Sequence, residues 1–245
     1  MATKVIDTTA RGVSSRSGGG IELYLKRIFA LMFGAVGLTA LATYLTIWGG
    51  GWVYLINPAT GSMSVLYYIL LFGGLGLAIW GQARAFSIKP TTAILLLALY
   101  SAIIGVTMTP LIVSALAVNP SSILMAFIIS AVMFACMAMF GYKTVKDLSF
   151  MGTFLFIGMI GLILVGIISM FWPALMGGAF GTIVCLVGVL IFALFTAYDM
   201  NKLKHAYAVV SGETQKNQLA VLGALHLYIS LLLINKDIYS MLKDL

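Results

Sequence analysis

Two aspartates stand where charge-free stretches of this chain end, and their type and place could do chemistry. Residues 148–198 form a run of 51 residues without a charged side chain, and Asp199 follows directly. Asp237 closes another uncharged run, 217–235, after a single lysine. A carboxylate at the C-terminal end of an apolar helix opposes the helix dipole, and partial loss of water makes it proton-sensitive. The alternative is a hydrated carboxylate paired with Lys202, three positions further on.

No other set of residues in the sequence fits catalysis or tight metal binding. Cys136 and Cys185 lie deep in apolar tracts, and neither has the spacing of a metal or redox motif. The sequence shows neither a nucleophile with a base nor a cluster of metal ligands. We therefore predict that the chain is not an enzyme, uses no cofactor and holds no metal tightly.

The composition indicates whether the surface of this protein faces water or lipid. Hydrophobic residues make up 62% of the 245 residues, charged residues only 9%, and the mean hydropathy is +1.09. A soluble domain has roughly a quarter of its residues charged, so this surface faces lipid. The net charge of +7 comes from short clusters between apolar tracts rather than one basic face. This pattern predicts a membrane protein and argues against nucleic acid as a partner.

The charged residues divide the chain into blocks that each hold two spans. Arg27 and Arg84 enclose 56 uncharged residues, Lys89 and Lys143 enclose 53, and the third block is the 51-residue run. A spanning helix needs about 20 residues, and Asn-Pro or Gly-Gly dipeptides mark a turn inside each block. The fold class is therefore all-α integral membrane, with seven predicted transmembrane helices at 28–48, 63–82, 91–113, 122–142, 150–170, 180–200 and 217–235.

The cations predict how the spans are oriented. Residues 1–20 are rich in Ser, Gly and Thr, so we expect a disordered cytoplasmic tail before a transmembrane domain over 21–245. Lys and Arg flank the first span and occupy the three linkers between blocks, whereas the hairpin turns hold none. The positive-inside rule then places the N-terminus and the linkers in the cytoplasm. Seven spans place the C-terminus outside, and a short or re-entrant last helix is the alternative.

Small residues in the spans predict where helices approach closely. Glycine has no side chain to hold two backbones apart, so glycine pairs are common at helix crossings in membranes. The glycines that suggest such contacts here are Gly34, Gly37, Gly73, Gly74, Gly76, Gly158 and Gly161.

Four stretches, in the right order, resemble landmarks of the Bax inhibitor-1 (transmembrane Bax-inhibitor motif) family. "TAYDMNKLKHAY", 196–207, is similar to the family's YD signature, and "GYKTVKDLSFMG", 141–152, to its basic linker. "YSAIIGVTMTPLI", 100–112, resembles the third span, and "GALHLYIS", 223–230, the opening of the last. The resemblance, strongest to bacterial members, implies six helices around a central seventh. It also implies a pH-sensitive calcium or cation leak of the bacterial inner membrane, with a stress or cytoprotective role.

The resemblance also implies a site. In the family the YD aspartate shares a proton with a second aspartate in the last span; here Asp199 matches the first, but Ser230 stands in place of the second. His226 lies one turn before Ser230 and is a candidate second titrating group, whereas Asp237 lies about 10 Å further along the helix. One carboxylate gives at best a weak calcium site near Asp199, because calcium takes six to eight oxygen ligands.

The resemblance also implies a cation at the end of the second span. Some family members place an arginine there that latches the YD aspartate, and Arg84 lies at that end, offset by two residues from the expected position. Alternatively, Arg84 is only a topology signal. The divergent last span leaves a second function open, that of a non-transporting regulator that binds other membrane proteins such as an AAA membrane protease.

Overall fold

The protein is built from seven helices that are long and apolar enough to cross a membrane. The computed structural model describes residues 2–57, 62–84 and 86–243, without the side chains of residues 2–19, 118, 173 and 243. The helices are α1 (Ala2–Trp48), α2 (Val65–Ala83), α3 (Pro90–Val118), α4 (Pro120–Lys143), α5 (Ser149–Phe171), α6 (Gly178–Val209) and α7 (Glu213–Lys243). The predicted all-α class and the seven spans are confirmed.

The first helix differs from its prediction at its beginning. The apolar part that can span a membrane is Gly20–Trp48. The helix as a whole begins at Ala2, before this apolar part. The disordered cytoplasmic tail expected over residues 1–20 stays a prediction. Because no side chain is described before Gly20, the division of the chain at residue 20 stays a prediction.

Two of the three turns inside the blocks lie where the punctuating residues predicted them, and residues 58–61 of the first turn lie outside the described residues. Asn119 ends α3 and also precedes α4, whose first residue is Pro120, a position where the missing N–H of proline costs nothing. The turn between α5 and α6 is a short 3-10 segment, Pro173–Met176, followed by Gly178 with a positive φ of 63°. Glycine adopts that left-handed backbone without strain, so α6 can begin immediately after a sharp turn.

The last helix is the most buried of the seven. α7 packs against α1, α3, α4 and α6, while α2 packs mainly on α3 and α5 mainly on α6. A helix that is apolar and buried on most sides belongs in the interior of a bundle. The arrangement of all six other helices as a ring around α7 stays a prediction.

The close helix crossings use glycines other than those that we singled out. A Cβ added at Gly105 of α3 would lie 2.8 Å from the Cβ of Ala42 in α1, and one at Gly141 of α4 would collide with the backbone of Ala197 in α6. By contrast, nothing lies within 4 Å of a Cβ built at five of the predicted glycines: Gly34, Gly37, Gly73, Gly76 and Gly161. Of the other two, Gly158 meets Ile191 and Gly74 meets Ile103.

One end of the bundle gathers the charged linkers, and we call it the cationic end. It comprises the linkers 84–89, 144–148 and 210–212 together with the helix ends next to them. Gln218 of α7 donates from Nε2 to the carbonyl of Ile88 at 2.6 Å, and Arg27 of α1 donates to the side chain of Asn217. These bonds tie α7 to α1 and to the α2–α3 linker.

Candidate functional site

Three contacts between α6 and α7 define their register. Gly223 packs so closely on Leu203 that an added Cβ would lie 2.7 Å from that leucine's Cδ2. His226 faces Asp199, and at the other end Asp237 occupies the space beside Gly188. From one contact to the next, the residue number on α7 rises by nearly the same amount as the residue number on α6 falls. The two helices therefore run antiparallel with a constant register.

Asp199 lies in the interior of the bundle. The residue is 8% exposed, and its Oδ1 atom lies 3.8 Å from Nδ1 of His226 on α7. Asp199 is buried rather than hydrated, and among the described side chains no ion pair within 4.0 Å joins it to Lys202, although the ammonium group is close enough to act electrostatically on Asp199 and His226. A carboxylate buried inside a membrane bundle is costly unless a partner compensates its charge or a proton neutralises it.

His226 links Asp199 to a third helix. Its Nε2 atom lies 3.1 Å from Oε1 of Gln82, near the end of α2. With Oε1 of Gln82 as the acceptor, Nε2 is the protonated nitrogen of the ring, and this tautomer follows from the orientation assigned to the amide. In the neutral ring, Nδ1 then carries a lone pair that faces the carboxyl group of Asp199.

This tautomer gives the pair a place for one shared proton. A lone pair opposite an ionised carboxylate is repulsive, whereas one proton held by either group makes them attract. The proton then resides on Asp199 as a carboxylic acid or on His226 as an imidazolium. At 3.8 Å the two atoms are beyond hydrogen-bond distance, so a direct transfer requires a small side-chain movement or one bridging water.

Ser230 lies further along α7 than the pair. It is buried, at 5% exposure, and is one turn after His226, about 6 Å along the helix. The register of α6 and α7 places it at the level of Phe195 rather than of Asp199. The group that faces Asp199 is therefore the histidine, one turn before the position where the family pattern has its second aspartate.

Arg84 does not contact Asp199 in this conformation. It is exposed and forms the C-terminal cap of α2, and among the described side chains no ion pair within 4.0 Å involves it. Gln82, two residues earlier, occupies the place near the pair that we expected an arginine to reach. The Arg84–Asp199 latch stays a prediction about another conformation.

A second residue that the sequence did not single out supports the site from the cationic end. Asn201, two residues after Asp199, is 2% exposed; its Nδ2 lies 3.2 Å from the carbonyl oxygen of Lys146, and its Oδ1 accepts from the N–H of Leu148 at 3.2 Å. Lys204 donates to the carbonyl of Tyr142 at 3.1 Å. These bonds hold the α4–α5 linker against α6, which fixes the depth of Asp199.

The described residues contain no group of three or more His, Cys, Asp or Glu side chains that could hold a metal ion. Asp199 supplies one carboxylate, and calcium requires six to eight oxygens. Any calcium at this position would have to be held weakly, with water and carbonyl oxygens completing its shell.

Comparison with known proteins shows the family. A family model described as an inhibitor of apoptosis-promoting Bax1 matches residues 21–244. The chain belongs to the Bax inhibitor-1 family. The inner membrane protein YbhL of Escherichia coli K12 is 30% identical over 212 residues, 86% of each chain. An uncharacterized protein of Borreliella burgdorferi is 31% identical over 84% of this chain and 85% of its own.

The family assignment and the seven spans together make the protein a multi-pass integral membrane protein. A relative from Caulobacter vibrioides, also uncharacterized, is 32% identical over 82% of this chain and 76% of its own. The resemblance to the family implies a site with two aspartates, and we compare Asp199, His226 and Ser230 with that expectation. In this member of the Bax inhibitor-1 family, the structure sets a carboxyl–imidazole pair where the resemblance implies two carboxyl groups.

Proposed function

We propose that this protein is a pH-sensitive calcium or cation leak of the bacterial inner membrane, with a stress or cytoprotective role. The observation that carries the proposal is the buried Asp199, which faces His226 across the α6–α7 interface at 3.8 Å. Ionisable groups inside a membrane bundle mark ion or proton pathways by default. The YbhL relative is named an inner membrane protein, which supports the location.

The chemistry of the pair supplies the pH sensitivity. With one shared proton the pair is neutral overall, and without it the ionised Asp199 leaves a net charge of −1. A negative charge attracts a permeating cation, so cation flux should rise as pH rises through the range where the proton is lost. The change in charge also alters the attraction between α6 and α7, which gives a physical route from proton to conformation.

Buried polar residues occur along most of α7. They comprise Gln218, Tyr228, Ser230 and Asp237, and the two-residue spacing of Tyr228 and Ser230 turns those side chains to nearly opposite sides of the helix. The hydroxyl of Tyr228 lies 2.5 Å from Thr39 Oγ1 on α1. Polar groups that face the bundle interior rather than lipid are what a pathway through a membrane protein requires.

The test is calcium flux into liposomes that contain the purified protein, followed with an enclosed calcium indicator at several pH values. Asp199→Asn keeps the size of the side chain but removes the charge, and we expect flux at high pH to fall about tenfold or more, equivalent to about 1.4 kcal/mol. In the same assay, Arg84→Ala should raise flux at high pH, where Asp199 is ionised, if Arg84 latches Asp199 in a closed state.

The matched control is Asp147→Asn. Asp147 lies in the α4–α5 linker, where Ser149 donates to it from its hydroxyl at 2.6 Å and its N–H at 2.9 Å. These hydrogen bonds lower the pKa of Asp147, so it is ionised well below neutral pH without a role in the bundle interior. Its replacement should leave flux unchanged. If Asp199→Asn conducts like the native chain, the pathway proposal is wrong.

The same assay separates the second function. A regulator that only binds other membrane proteins would show no flux above that of protein-free liposomes at any pH. That outcome would favour the non-transporting role.

A further inference from the structure

An apolar cavity opens between two helices that do not pack on each other. Its walls are one face of α1 and one face of α4, and its floor is Met200 of α6 and Leu231 of α7. α1 and α4 both pack against α7, which holds them apart and leaves the space between them. The cavity volume is about 350 Å³.

The dimensions of the cavity select its occupant. On α1 the lining residues extend from Leu25 to Val36, about 16 Å along the axis, and on α4 from Phe127 to Tyr142, about 22 Å. This length is close to half of the ~30 Å hydrocarbon core, the depth of one leaflet.

The cavity suits a hydrocarbon chain. Carbon atoms that are not bonded approach to about 4 Å, so one acyl chain needs a column about 4 to 5 Å wide. The cavity is open toward lipid, since Phe33, Phe127 and Met139 in its lining are 63%, 47% and 57% exposed. The lining is apolar along its whole length, with the aromatic rings of Phe29, Phe33 and Phe134 among the walls.

The mouth of the cavity carries a cation. Tyr142 lines the cavity at its cationic end, and the ammonium group of Lys204 lies 5.8 Å from its ring and 3.1 Å from its backbone carbonyl. Lys204 is one turn after the floor residue Met200 on the same face of α6. The nearby Glu22 is paired with Lys26 at 2.7 Å, so its negative charge is already compensated.

We propose that the cavity between α1 and α4 is a binding site for one acyl chain of an anionic phospholipid, whose phosphate lies at Lys204. The chain would lie with its headgroup at the cationic end, and basic groups at such a mouth favour anionic headgroups. The site is separate from the Asp199–His226 pair and does not depend on the proposed flux.

The experiment is native mass spectrometry of the purified chain in mild detergent, with added phosphatidylglycerol or phosphatidylethanolamine that carry the same acyl chains. We expect one phosphatidylglycerol to remain bound under activation that removes the rest. Ala135→Phe fills the cavity and should reduce that adduct by about fivefold or more, because the added ring and the chain cannot share the space. Ala131→Leu, a smaller addition, should reduce it partly.

Two further variants keep the result interpretable. Cys136→Phe adds a similar bulk at an exposed position of α4 that does not line the cavity, and it should bind phosphatidylglycerol like the native chain. Lys204→Gln should abolish the preference for phosphatidylglycerol over phosphatidylethanolamine. An adduct of equal size in the native chain and in both cavity variants would overturn the site, and so would a protein dimer that Ala135→Phe dissociates. A preference that survives Lys204→Gln would overturn the headgroup assignment.

Discussion

A histidine that faces a buried aspartate changes what the aspartate can do. Two carboxyl groups that share a proton repel each other once both are ionised. An imidazole beside Asp199 becomes neutral rather than charged when it loses its proton, so the ionised form of this site carries one negative charge, not two. Its response to pH should accordingly be that of a single proton.

The imidazole in place of a second carboxyl group predicts how steeply flux depends on pH. Flux through the native chain should depend on pH with a slope close to one proton, shallower than in relatives that carry both aspartates. His226→Gln cannot take up the proton, so the midpoint of the profile should move by about half a pH unit or more, about 0.7 kcal/mol. Liposome flux measured from pH 5 to pH 8.5 gives both numbers.

His205→Gln is the matched control, because the chain has two histidines. The imidazole of His205 is exposed, and its Nδ1 atom lies 2.8 Å from the carbonyl of Asn201 within the same helix. Its replacement should leave the midpoint unchanged. A native profile with a two-proton slope, or a His226→Gln profile identical to the native one, would show that the pair does not set the response.

At the scale of the helices, the α6–α7 interface depends on a glycine. A Cβ at Gly188 would collide with Oδ2 of Asp237. Asp237 is buried there at 7% exposure, and its Oδ1 atom lies 3.7 Å from the ammonium of Lys236. The absence of a side chain at position 188 is what lets α7 bury this carboxylate against α6.

Gly188→Ala should therefore destabilise the bundle by about 1–3 kcal/mol, because the methyl group forces either the carboxylate or the helix to move. Thermal unfolding in detergent measures the loss. Gly161→Ala in α5, where nothing lies within 4 Å of the new Cβ, should unfold like the native chain.

A double variant tests whether the contact between Gly188 and Asp237 causes the loss of stability. Adding Asp237→Ser to Gly188→Ala shortens the side chain that the methyl group meets, so the two changes together should cost less than their sum. Additive costs would mean that position 188 matters for another reason.

At the scale of the whole molecule, most cations are gathered at one end of the bundle, whereas Lys236 and Lys243 lie in the C-terminal part of α7, toward the opposite end. Lys and Arg sit in the linkers beside α2, α4 and α6, and hydrogen bonds from Gln218 and Lys204 join α7 and α6 to those linkers. The positive-inside rule predicts that this end faces the cytoplasm.

Cysteine accessibility tests the orientation. In a chain with Cys136 and Cys185 changed to Ala, Thr214→Cys lies at the cationic end and Ala174→Cys in the turn at the opposite end, and both positions are exposed. In intact spheroplasts a membrane-impermeant maleimide should label Ala174→Cys but not Thr214→Cys. The reverse pattern would invert the topology.

Much of the architecture follows from the sequence because a membrane imposes strong rules. About 20 apolar residues are needed per span, backbone groups must be satisfied within a helix, and charges stay near the ends. The seven spans and the turns at Asn119 and Pro173 could therefore be predicted from the order of the residues alone. The YD motif pointed to Asp199 as one half of the candidate site, but only through its resemblance to the family.

Which side chain faces Asp199 was decided by tertiary structure. The family pattern pointed to position 230, but the antiparallel register of α6 and α7 brings His226 opposite the carboxylate and places Ser230 one turn further. Gln82 joins the pair from α2, 144 positions away in the chain. Register and helix rotation depend on how glycines and bulky residues at several crossings interlock. That packing is a property of the assembled bundle, and local sequence patterns do not contain it.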